Sequence, residues 1–212
     1  MNENSRSGEG TDMDVQQAAA IIEESGERAR RALYVRRPVL FGIWGLAFLV
    51  CYGACWLSVL GQRPYTGPTP AALLTLTIVV AAAYAATVVL VGRAGMGVGG
   101  RSALQRRIML MAYFCAYVGL FVLEAALDHA GASRAVLGVY GAAAPLLLAG
   151  VVAAAASALA LDWWLFGLGI WLLVLAAGSG WAGPVNVWAV DALAVSLALL
   201  ALAAIGFRRS RA

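Results

Sequence analysis

The sequence predicts an all-α, polytopic membrane bundle of six transmembrane helices with both termini in the cytosol, and three observations predict it. The chain has 212 residues, of which 62% are hydrophobic and 12% charged, a balance that leaves too little polar surface for a soluble domain of that length. Apolar runs lie at about 38–60, 71–92, 108–129, 135–160, 163–183 and 184–206. Each is near or above the ~20 residues that a helix needs to cross the hydrocarbon. The third observation is how the basic residues are sorted. All are arginine, and Arg28, Arg30, Arg31, Arg36 and Arg37, then Arg93, Arg101, Arg106 and Arg107, then Arg208, Arg209 and Arg211 fall on one side of a six-span chain. Only Arg63 and Arg134 fall on the other, so the positive-inside rule places both termini in the cytosol of a bacterial plasma membrane.

The chain divides into a cytosolic tail over 1–37, a six-span domain over 38–207 and a short cytosolic tail over 208–212. Residues 1–13 are polar and read as disordered. From Asp14 to about Leu33 the pattern is an amphipathic helix, with Asp14 as N-cap and Gln17 in the capping-box position. Val15, Ala18, Ile22, Ala29 and Leu33 form its weakly apolar stripe, while Glu24 with Arg28 and Glu27 with Arg31 pair at the favourable four-residue spacing. Such a helix lies against headgroups or docks a cytosolic protein through those four charged residues. The first apolar run is far too long for a signal-peptide core, so span one itself directs insertion.

Within the membrane domain, Gly95, Gly97 and Gly100 fit G-x-G-x-x-G but follow a span instead of a strand, and read as a cytosolic loop with Ser102 capping a short turn before span three. Pro145 should kink span four. Gly138, Gly141, Gly150 and the alanines of 153–160 allow close packing. Trp163 and Trp164 read as interfacial anchors after Leu161 and Asp162, and Gly183–Pro184 separates the last two spans. Cys51, Cys55 and Cys115 all lie within spans, where they read as small apolar residues and not as disulfide staples.

Span three carries the ionisable groups. Tyr113, Tyr117, Leu120, Glu124 and Asp128 recur at steps of three and four and share one helix face, and His129, the only histidine, follows at once. At about 1.5 Å per residue, Glu124 and Asp191 of span six fall within about 5 Å of each other in depth, in the outer leaflet. Two carboxylates in one low-dielectric site do not readily both ionise, which suits a proton or cation site built from Glu124, Asp191, Asp128, His129 and Tyr117. Each acid can equally hold helices together by bonding a tyrosine or a backbone carbonyl.

Other chemistry is excluded residue by residue. One histidine with distant carboxylates does not make a zinc centre, and no cofactor motif stands in its proper context. Ala177-Gly178-Ser179-Gly180 departs from the serine motif of rhomboid proteases at Ala177, and the last span holds no histidine to activate the hydroxyl. Nucleic acid is not an expected partner, because the arginines flank spans.

Arg37-Pro38 through Trp56, with the amphipathic helix before it and Gly61-Gln62-Arg63-Pro64-Tyr65-Thr66-Gly67 after it, resembles uncharacterised multi-span membrane proteins of actinobacteria. The resemblance covers the first third of the chain and implies a plasma-membrane location and a regulatory role. The expected function is therefore a non-enzymatic sensor, regulatory or accessory protein that docks a cytosolic partner, with a small proton- or cation-coupled transporter as the alternative. The expected partners are the bilayer and that protein, with room for a homo-oligomer.

Overall fold

A computed structural model describes residues 37–94, 101–160 and 162–209. The amphipathic helix at 14–33, with Glu24, Glu27, Arg28 and Arg31, and the glycine loop at 95–100 lie outside them. Among the described residues every regular element is helical: α1 Arg37–Val59, α2 Pro70–Ala94, α3 Arg101–His129, α4 Arg134–Ala160, α5 Trp163–Ser179 and α6 Gly183–Arg209, with a 3-10 turn at Gly180–Ala182. Five helical runs are long and apolar enough to cross a membrane, the last extending from Trp163 through the turn to Arg209.

That last run is folded back on itself. The Arg209 guanidinium stacks 5.3 Å from the centre of the Trp164 ring, a separation that a straight helix of this length, about 70 Å, could not give. The reversal occurs at Gly183, whose φ of +83° suits glycine, and Pro184 then sits in the first turn of α6, where its missing N–H costs nothing. Helix starts elsewhere carry similar local devices. Thr69 Oγ1 accepts from the Ala72 N–H before α2, Ser133 Oγ from Val136 before α4, and Asp162 Oδ1 from Trp164 and Leu165 before α5. Each satisfies orphan amides of a first turn.

Two boundaries differ from the sequence reading. α3 begins at Arg101, so the short turn expected before span three is the first part of that helix, and Ser102 is its second residue. α5 ends at Ser179, because Gly178 and Gly180 favour the tighter turn that follows. α4 runs unbroken through Pro145.

The core is made by α1, α4, α5 and α6. Cys51, Tyr52, Cys55 and Val59 meet Ala142, Leu146, Leu168, Leu172, Val187, Trp188 and Val195, with Ala72 of α2 buried among them and Leu76, Val79 and Val80 packed alongside. Glycine sets the closest approaches. A Cβ on Gly169 of α5 would lie 2.7 Å from the Ala154 backbone nitrogen of α4, and one on Gly206 of α6 would lie 2.5 Å from Pro38 of α1. In lipid, close backbone approach is a main source of helix association.

Contacts at the helix ends show which ends lie together. Arg37 of α1 forms an ion pair with Asp162 at the start of α5, and Arg209 at the end of α6 reaches Trp164. At the opposite end the loop after α1 packs on the first turns of α4 and α6 through Tyr65.

Candidate functional site

The buried face of α6 comprises Val187, Trp188, Asp191, Ala192, Val195, Ser196, Leu199 and Ala203, a helical spacing that turns one stripe into the bundle. Asp191 is fully enclosed within that stripe, and neither of its carboxylate oxygens has a hydrogen-bond partner. Ser179, at the end of α5, faces it without completing a hydrogen bond, and the Tyr52 ring of α1 approaches from another side. The Tyr52 hydroxyl itself is committed to the Ala142 carbonyl at 3.0 Å. Buried polar groups are normally satisfied. A carboxyl group in this setting is a group that takes up something: a proton, a cation or a hydrogen-bond donor.

An aromatic chain passes beside it. Trp44, Phe48 and Tyr52 follow one face of α1, with ring centres 5.9 and 5.5 Å apart, and Tyr52 meets Trp188 of α6 at 5.5 Å. The Trp188 indole N–H points at the Tyr65 hydroxyl at 3.4 Å. Tyr65 is seated over Gly138 so tightly that a Cβ there would lie 2.1 Å from its hydroxyl oxygen. Burial raises the Tyr65 hydroxyl above its ordinary pKa, outweighing the lowering by the Trp188 N–H. The loop that holds it is organised by Gln62, whose amide donates to the carbonyls of Ser58 and Gly67 and whose oxygen accepts from Thr66.

The residues expected from span three are placed as follows. From Met111 onward the half-buried positions of α3 are Tyr113, Tyr117, Leu120, Glu124 and Leu127. Glu124 lies over Gly141 of α4, its Oε1 3.3 Å from where a Cβ would stand, and Trp188 comes within 3.9 Å of the same point. Tyr117 stacks on Tyr113 and meets Phe121 edge-on. Asp128 is exposed and pairs with Arg134 across the α3–α4 turn at 3.4 Å. His129 ends α3 at the surface.

The surroundings of the two carboxylates are linked through Tyr52, which feels both Asp191 and Tyr117. Glu124 has Asp128, Tyr117 and Tyr140 around it, whereas Asp191 has Ser179 and Tyr52. Among the described residues no group of three or more histidine, cysteine or acidic side chains could hold a metal ion. Sequence reasoning passes over Trp188, although it stands three residues before Asp191 and therefore on the same face. It also gives no role to Tyr52, whose involvement depends on which face of α1 meets α6. Comparison with family models, curated proteins and solved structures gives no match.

Proposed function

We propose that this chain is a non-enzymatic sensor or accessory protein of a bacterial plasma membrane, crossing it six times with both termini in the cytosol, and that its amino-terminal segment docks a cytosolic partner. The observation that carries this reading is the Arg37–Asp162 pair. Arg37 opens α1 directly after residues 1–36, and Asp162 is also the N-cap of α5. The pair joins the residue that follows the amino-terminal segment to the start of α5, whose far end carries Ser179 beside Asp191. The arginine asymmetry of the sequence supports the orientation, because the helix ends gathered around Asp162 are those flanked by most of the arginines.

Single-cysteine labelling tests the orientation: a cysteine replacing Arg209 should react only after the membrane is opened, and one replacing Thr66 should react from outside. Periplasmic labelling at position 209 would overturn it. For the docking role, deletion of residues 1–27 should leave the protein in the membrane and abolish co-purification of a cytosolic protein. Recovery of the same proteins with and without the segment would overturn that role.

A second reading, a small proton- or cation-coupled transporter, is favoured by the unpartnered carboxyl of Asp191. In proteoliposomes, Asp191→Asn should then abolish pH-driven flux while Glu124→Gln reduces it less, because only Asp191 is fully enclosed. Unchanged flux in Asp191→Asn would remove the transporter reading.

A further inference from the structure

A groove runs along the outside of the α5–α6 hairpin, lined by Trp163, Trp164, Gly167 and Trp171 of α5 and by Ala198 and Ala201 of α6. Leu168 and Leu202 also line it, and a Cβ on Gly167 would meet nothing within 4 Å. At one end stand Trp163 and Trp164, both exposed, and the last turn of α6, which carries Arg208 and Arg209, reaches Trp164 through Arg209. Arg209 is held over the Trp164 ring at 5.3 Å, so a cation is fixed at the edge of an apolar channel. Among the described residues Asp162 is the acidic residue at this end, and it is taken up by Arg37 and by the first amides of α5.

We infer that this groove seats one anionic phospholipid, its phosphate at Arg208 and Arg209 and an acyl chain running past Gly167 toward Trp171. Charge complementarity selects the occupant. Tryptophan belongs at the level of the headgroup and glycerol, and basic residues at the edge of a cleft between membrane helices select anionic headgroups. The missing side chain at Gly167 leaves room for a methylene chain where leucine would fill it. The proposal rests only on the membrane location of the apolar helices, not on the docking role or on the number of crossings.

Native mass spectrometry of the full-length protein, released from detergent containing equal amounts of a phosphatidylglycerol and a phosphatidylcholine with the same acyl chains, tests it. The wild type should retain one phosphatidylglycerol in preference to phosphatidylcholine. Replacing both arginines (Arg208→Gln with Arg209→Gln) should lower that retention by about tenfold or more, since each basic residue near a membrane surface is worth roughly a fivefold change in affinity for anionic lipid. Gly167→Leu should lower it comparably with both arginines intact, whereas Gly119→Leu, at another open glycine on α3, should leave it unchanged. Thermal melts of both leucine variants at or above the wild-type temperature exclude misfolding, because leucine is the better helix former. Equal retention of the two lipids, a preference that survives loss of both arginines, or identical behaviour of the Gly167 and Gly119 variants would each overturn the proposal. So would a dimer that disappears in Gly167→Leu, which would assign the groove to a second copy of the chain.

Discussion

Two parts of this bundle are both built from apolar helices, yet they pack very differently. Of the apolar stretch of α5–α6 33% is buried among other helices, and 28% of α1 and of α4, against 6% for α2 and none for α3. α3, at a mean hydropathy of 1.5, is the least apolar, but hydrophobicity does not separate α2, at 2.3, from α1, at 1.9. Glycine placement does. Gly45, Gly150, Gly169 and Gly206 each bring a neighbouring helix so close that a Cβ would touch it, whereas Gly92 of α2 and Gly119 of α3 face open space. Lipid tails satisfy a leucine as well as another helix does, so association follows shape and backbone contact instead of apolar area. α3 is instead attached by polar links, the Tyr140 hydroxyl donating to the Leu120 carbonyl at 3.1 Å and Glu124 lying on Gly141.

If that contrast is correct, the largest effect of any single change should come from filling a glycine contact whose neighbour is backbone. Gly169→Leu sets its side chain against the α4 backbone, which cannot yield as a flexible side chain can, and should cost about 3 kcal/mol, the upper range for overpacking. A thermal melt in mild detergent would show it as a clearly lower transition, and an unchanged melt would break the comparison.

Gly138→Ala should come next, at about 2 kcal/mol, by expelling the Tyr65 ring from its seat. The sharper measurement is a double-mutant cycle. With Tyr65→Ala already in place, the second change should cost nearly nothing, because the atoms it would strike are gone. Additive losses would mean that Gly138 acts through something other than Tyr65.

Asp162→Ala should cost about 1 kcal/mol for the lost helix cap. The ion pair adds little, because the Arg37 side chain is 41% exposed and partly screened by solvent. Arg37→Gln should therefore be milder than Asp162→Ala, and the reverse order would show that the pair, not the cap, dominates there.

The smallest effect belongs to α3. Gly119→Leu adds four carbons to a face that touches nothing and should shift stability by less than about 0.5 kcal/mol. A loss comparable with that of Gly169→Leu would mean that α3 is packed as tightly as the core helices, and the glycine account would fail.

Much of this architecture is legible in the order of the residues alone. Runs of apolar residues bounded by Pro38, Pro70, Arg134 and Gly183 mark helices, because length and hydropathy are properties of consecutive residues and the proline and glycine limits are local. The inward face of α3 is legible too, since a helix turns about 100° per residue and Tyr113, Tyr117, Leu120 and Glu124 must share a side. Asp128, which the spacing puts on the same stripe, is exposed and pairs with Arg134, a residue on the next helix that the spacing within α3 does not reveal, while Leu127 takes the half-buried position.

What the tertiary structure alone decided is which faces meet. Depth along the bilayer puts Glu124 and Asp191 at one level, but depth carries no information about rotation or about which helix stands between. Packing gave Asp191 to Ser179 and Tyr52, and set Glu124 against Gly141, with Trp188 in contact with the same seam. The sequence by itself determined the helices, most of their limits and their polar stripes, all of which depend on neighbours in the chain. Their partners depend on glycine-sized gaps between helices far apart in sequence, and a gap exists only once two surfaces have been brought together.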